Sequence, residues 1–126
     1  MTKKVWRKVA GAAMVACGVL AVQGAAWAES WPTKSVTMVV PYSAGGPTDV
    51  VARMLAIPMG KVLGQTVIVE NTVGAGGTIA PARVARAKPD GYMFLIHHMG
   101  MATAPSLYTK RPSDPLKDFE YIGQVL

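Results

Sequence analysis

An α/β fold resting on a parallel βαβαβ sheet is predicted by two features of the sequence. β-branched or apolar runs of strand length recur at residues 35–40, 66–70 and 92–97, and the stretches between them show helical spacing or high helix propensity. The first two runs also open into Gly-rich loops directly before the next helix. Strands that alternate with helices in this way pair in parallel through right-handed crossovers.

Residues 35–40 (Ser-Val-Thr-Met-Val-Val) form the first strand, and Pro41, which has no N–H for a ladder, stops it. Pro47 suits the first helical position, where the missing N–H is no loss. Val51, Met54, Leu55, Val62 and Leu63 then recur at helical spacing, and Gly64 is the expected C′ stop. Pro58 falls inside this helix, where proline costs about 3 kcal/mol, and predicts a kink near residues 54–57.

Residues 66–70 (Thr-Val-Ile-Val-Glu) repeat the strand pattern, and residues 71–77 repeat the Gly-rich loop. Thr78 is the expected cap of a second helix rich in Ala80, Ala82, Ala85 and Ala87. Arg83, Arg86 and Lys88 complement the negative end of its dipole, and Pro89-Asp90-Gly91 turns the chain. Residues 92–97 are almost wholly apolar, which predicts a strand covered on both faces.

The chain has 126 residues and a formal charge of +6, but the charge is unevenly placed. Lys3, Lys4, Arg7 and Lys8 precede a stretch, residues 9–28, that has no charge and ends in Ala26-Trp27-Ala28. This is the layout of a secretory signal, with the cut expected after Ala28 and export to the periplasm. A retained membrane anchor fits less well, because Gln23 and many Ala and Gly make the stretch only marginally apolar. Lipid attachment at Cys17 also fits poorly, since Met14-Val15-Ala16 is a weak approach sequence.

Cleavage would take four of the 13 Lys and Arg and none of the seven Asp and Glu, leaving a net +2. The remaining basic residues form no stripe interleaved with aromatics, so nucleic acid is not an expected partner. Beyond Cys17 no cysteine remains for a disulfide or a thiolate zinc site. Residues 29–126 suffice for one small domain and not for two.

In a parallel sheet every strand-to-helix loop leaves at the carboxyl edge, where open α/β sheets bind ligands. Two such loops place glycines before helix starts, so backbone N–H groups can approach a ligand and the positive dipole ends favour an anion. The dinucleotide fingerprint fails, because Ile79 stands where a third glycine belongs, and Gly60-Lys61 is followed by Val62 rather than Ser or Thr. Ser43 lies in Tyr-Ser-Ala-Gly-Gly rather than a Gly-x-Ser-x-Gly elbow. His97 and His98 are adjacent, so in extended chain they point to opposite faces and cannot share a metal, and His98 is the one expected at the ligand edge. Asp49, near a helix start, complements the dipole.

The residues in order resemble the Bug (TctC-type) periplasmic solute receptors associated with tripartite tricarboxylate transporters. The resemblance rests on Trp31-Pro32-Thr33-Lys34, on the run Pro41-Tyr42-Ser43-Ala44-Gly45-Gly46-Pro47-Thr48-Asp49, and on Gly74-Ala75-Gly76-Gly77. Leu63-Gly64-Gln65, Val69-Glu70-Asn71, Pro89-Asp90-Gly91-Tyr92, Pro105-Ser106-Leu107-Tyr108 and Lys117-Asp118-Phe119 follow in the family's order. Pro58, Thr72-Val73 and His97-His98-Met99 depart from the family's pattern.

The resemblance implies a two-lobed, type II-like periplasmic binding protein with no catalysis, cofactor or metal. Its ligand would be a small organic carboxylate (a dicarboxylate, an amino acid or an aromatic acid), and the membrane components of a tripartite tricarboxylate transporter are possible partners. The expected ligand contacts are Tyr42, Ser43, Ala44, Gly45, Gly46, Thr48, Asp49, Gly74, Ala75, Gly76, Gly77, Thr78, His98, Met99 and Gly100. On this pattern residues 1–28 are the signal peptide, 29–108 the front of the first lobe, and 109–126 the start of the crossing, with residues 121–126 as a strand and the chain as a truncated front part. The competing expectation is a phosphate- or nucleotide-handling α/β enzyme using the same Gly-rich loops.

Overall fold

The computed structural model describes residues 30–125; the expected signal, its cut and Cys17 lie outside the described residues. The elements in order are β1 (Val36–Val40), α1 (Pro47–Leu63), β2 (Val67–Asn71), a 3-10 turn at Ala75–Gly77, α2 (Ile79–Ala85), β3 (Met93–Leu95) and α3 (Gly100–Leu107). The strands make one parallel sheet in the order β2-β1-β3, with Val36 opposite Val67 and Thr37 opposite Met93. The predicted α/β class and parallel sheet are what the chain forms.

β1 is central, and Val36, Met38, Val39 and Val40 are all but inaccessible. Strand side chains alternate between faces. Met38 and Val40 share one face, where they meet Ala52 of α1 and Val67, with Leu55, Ala56, Met59 and Leu63 packed around them. Val39 turns to the other face, and α2, which contacts β1 and β3, buries Ala80 and Ala82.

The inner stripe of α1 is therefore Ala52, Leu55, Ala56, Met59 and Leu63, at i, i+3, i+4, i+7 and i+11. Met54 and Val62, both expected inside, are 69% and 87% exposed. Small Ala52 and Ala56 define the face because they let the helix approach the sheet, and size was a poor guide to position. The helix runs unbroken through Pro58 to Leu63. Pro58 is exposed, so the Met54 carbonyl that loses its partner is open to water. Gly64 ends the helix in the left-handed conformation, as its sequence position implies.

The third strand is shorter and less covered than expected. β3 spans only Met93–Leu95 and is half-buried along its length, because it pairs with β1 on one side and lies at the edge of the sheet. The stretch after it is not all loop, since Gly100–Leu107 is helical. Residues 121–125 are coil rather than the predicted strand, and Ile122 is exposed. Two motifs of the family resemblance meet far from the ligand edge: Trp31 Nε1 donates to the Asp90 carbonyl (3.1 Å) and the Thr33 N–H donates to the Tyr92 hydroxyl (2.9 Å). They fasten the chain's approach to β1 onto the turn before β3.

Candidate functional site

The order β2-β1-β3 makes β1 a switch point, since the chain passes to one side of it through α1 and then returns past it through α2. Loops leaving neighbouring strands in opposite directions open a crevice at the carboxyl edge. The segments after β1, β2 and β3 all reach that crevice.

The first loop is held by a network centred on Asp49. Asp49 is 2% exposed, and its carboxylate accepts from the Gly45 N–H (2.7 Å), Arg53 Nε (2.9 Å) and Asn71 Nδ2 (3.0 Å). Asn71 Nδ2 also donates to the Tyr42 carbonyl (2.9 Å), which ties the end of β2 to the loop after β1. The hydrogen bond from Arg53, then those from Gly45 and Asn71, pull the Asp49 pKa down to about 2.

Of the expected ligand contacts, the Asp49 carboxylate and the Gly45 N–H are bonded to each other inside the loop, and the charge of Asp49 is matched by Arg53. The Gly46 N–H is turned to the Ser43 carbonyl (3.2 Å), which leaves Thr48 and Asp49 with the N–H groups that the start of α1 cannot satisfy within the helix. Ser43 and Ala44 are exposed at the tip.

The second loop closes largely on itself. Gly74, Ala75, Gly76 and Gly77 all have positive φ, Ala75 at 46° being the one residue with a Cβ. The Gly77 N–H donates to the Gly74 carbonyl (2.9 Å), and the Thr78 hydroxyl donates to the Ala75 carbonyl (2.9 Å) instead of capping α2. The expected cap role of Thr78 is therefore wrong: its backbone is already helical, so its hydroxyl lies nearer the preceding turn than the amides ahead. Arg83 is likewise not spent on the helix dipole alone, because it pairs with Glu70 and reaches Thr72.

Tyr42 is where the three segments meet. Its ring stacks on His98 (4.5 Å between centroids, 9° between planes) and meets His97 edge-on (5.7 Å, 75°). Its hydroxyl would lie 3.2 Å from a Cβ placed at Gly77 or at Gly100, so both glycines yield the space it occupies. Burial, and then the neighbouring Tyr108, raise the Tyr42 pKa.

The two histidines do not point apart as adjacency implied. The chain leaves strand geometry after Leu95, the His98 N–H donates to His97 Nδ1 (2.9 Å), and the rings lie 5.3 Å apart. Burial lowers the His97 pKa. The Gly100 N–H donates to His98 Nδ1 (3.0 Å), which leaves Nε2 to carry the proton in the neutral ring. Met99 is 78% exposed at the rim. Among the described residues no group of three or more His, Cys, Asp or Glu is placed to hold a metal.

The sequence did not place Tyr108 or Arg111 near these loops. Both line a cleft beside Gly76, Thr78, His97 and Gly100. Nothing in their spacing marks them, because α3 is what folds this segment back onto the second loop.

With this geometry in hand, the family description "Tripartite tricarboxylate transporter family receptor" matches residues 51–126. A protein of Agrobacterium vitis from the TAR-I ttuE-ttuC' intergenic region is 48% identical over 97 residues, covering 77% of this chain and 28% of that protein. BugT of Bordetella pertussis is 39% identical over 98 residues, covering 78% and 30%. Among solved structures, the periplasmic binding protein BugD is similar at a TM-score of 0.72 and 57% identity, over 74% of this chain and 31% of BugD. MatC from Rhodopseudomonas palustris, with bound malate, gives 0.69 and 48%, over 71% and 31%. The chain spans under a third of the length of these relatives. A receptor description that covers more than half the chain, and relatives that share its parallel sheet, lead to one conclusion: the chain belongs to the Bug (TctC-type) tripartite tricarboxylate transporter receptors, a family of binding proteins and not of enzymes.

Proposed function

We propose that the chain contributes one wall of a periplasmic solute-binding site that captures a small organic carboxylate for tripartite tricarboxylate-type uptake or sensing. The observation that carries this is the convergence of the segments after all three parallel strands on Tyr42, at the switch point of the sheet. Ser43, Ala44 and Thr48, with the second loop and the His98–Gly100 turn, surround that point. The open N–H groups of Thr48 and Asp49 and the positive end of the 17-residue α1 favour an anion there.

Dicarboxylates are the favoured class within this reading, because MatC holds malate and another R. palustris relative, 39% identical, holds adipate. The transporter's membrane components are the proposed partners. The uncharged stretch ending at Ala28 supports export, and N-terminal sequencing of the exported protein is expected to begin at Glu29, whereas a retained Met1 or a lipidated Cys17 would refute it.

A thermal-shift screen of the chain against malate, adipate and ATP tests the binding reading. Ligand at ten times its Kd adds about 1.4 kcal/mol of stability. Carboxylates are expected to raise the midpoint and ATP to leave it unchanged. Stabilisation by ATP alone would return the nucleotide-handling enzyme to first place.

A further inference from the structure

Arg111 lies outside the loops assigned to the site, yet it lines the cleft that opens beside them. Two polar groups face this cleft from the segment after α3. The Tyr108 hydroxyl sits against Gly76 so closely that a Cβ there would overlap it. Arg111 Nη1 donates to the Pro105 carbonyl at 3.0 Å.

The rest of the guanidinium has one ion-pair partner, the Asp114 carboxylate. The Asp114 carboxylate is 3.9 Å from Nη2, too far for a hydrogen bond, and its Oδ1 already accepts the Leu116 N–H. Arg111 Nε is buried and has no partner. A guanidinium carries five N–H donors and a permanent charge, and a buried donor without an acceptor is disfavoured. An under-coordinated cation and a phenol at the rim of one cleft, next to the Gly-rich loop, favour an acceptor that carries negative charge.

We infer that Arg111, with the Tyr108 hydroxyl, forms a second anionic subsite, which takes the distal carboxylate of a dicarboxylate whose first carboxylate rests on the strand-end loops. The inference depends on the carboxylate reading above and narrows it. Arg111 then sets a preference for two carboxylates over one, through a planar fork that a lysine would not reproduce.

Malate and lactate separate the two claims, since both are 2-hydroxy acids and lactate lacks the distal carboxylate. Dissociation constants for each would be read from amide shifts of the loop residues in the ¹⁵N-labelled chain, in Arg111→Gln, in Arg111→Lys and in Tyr108→Phe. The native chain is expected to bind malate about tenfold more tightly than lactate, the difference one charge-assisted hydrogen bond makes. Arg111→Gln should erase that preference and leave lactate binding unchanged, Arg111→Lys should retain part of it, and Tyr108→Phe should weaken malate alone. If Arg111→Gln fails to fold, as judged from its spectrum, Arg111→Lys and Tyr108→Phe decide. A native chain that does not discriminate, or variants that keep the full preference, would overturn the subsite and leave the carboxylate reading standing. Loops that respond to neither acid would overturn both.

Discussion

Asp49 shows how one side chain ties together the segments that form the candidate site. Its carboxylate is nearly sealed and joins Gly45, Arg53 and Asn71. Its pKa is depressed to about 2, so the stability it gives is complete above the ordinary carboxylate value near 3.8 and is lost as pH falls from there through 2. Asp49→Asn is therefore expected to lower the unfolding midpoint at pH 7, and its deficit should shrink as pH drops from 4 towards 2; a deficit independent of pH would deny the ionised network. Glycines divide in the same loops. Gly76 has φ 64° beneath Tyr108, and Gly76→Val should cost roughly 1 to 3 kcal/mol in stability, measured by denaturant titration, besides any loss of binding. Gly46 has an ordinary φ of −74°, so although an added Cβ would stand 3.1 Å from the Ser43 carbonyl and that carbonyl must give by a few tenths of an ångström, Gly46→Ala should cost less stability than Gly76→Val and report on binding more cleanly. The glycines of the loops were legible in the sequence. The bond from Asn71 to Asp49 was not, because Asn71 lies 22 residues further along and is brought close only by the sheet.

At the scale of elements, strand runs, loop glycines, Pro47 and Gly64 were legible because each acts through its own backbone. Which face of α1 is buried was not, since Met54 and Val62 obey helical spacing but Ala52 and Ala56 permit the closest packing. Lysine at Met54 or Val62 should accordingly change stability by no more than about 0.5 kcal/mol. Pro58 leaves an exposed turn of α1 without one hydrogen bond. Pro58→Ala recovers most of the roughly 3 kcal/mol helix penalty, less about 0.4 to 1 kcal/mol for the freer unfolded chain. A gain near 2 kcal/mol, some 10 °C in midpoint for a domain of this size, is expected in a thermal melt. No gain would mean that the helix has adapted around the proline. α3 was illegible for a different reason: its residues Gly100–Leu107 carry no buried side chain and contain Pro105, so neither periodicity nor propensity marks them.

For the whole molecule, the alternation of strands and helices was enough to place three loops at one edge, and the order β2-β1-β3 adds the switch point that opens them. Tyr108 and Arg111 reach that edge only through the folded path after β3, which no local pattern encodes. The wall so formed stays in water, and each backbone-to-carboxylate bond there gains about 1 to 3 kcal/mol against an association cost of roughly 4 kcal/mol or more. Binding by this chain alone should accordingly be millimolar. The central claim is that the carboxyl edge of the sheet is the carboxylate site, and amide shifts across the ¹⁵N-labelled chain during titration with malate test it directly. The account predicts shifts at residues 42–48, 74–78 and 98–100, while Gly60, Lys61 and Gly64 at the opposite edge stay still; shifts at that opposite edge, or none in the three loops, would contradict it.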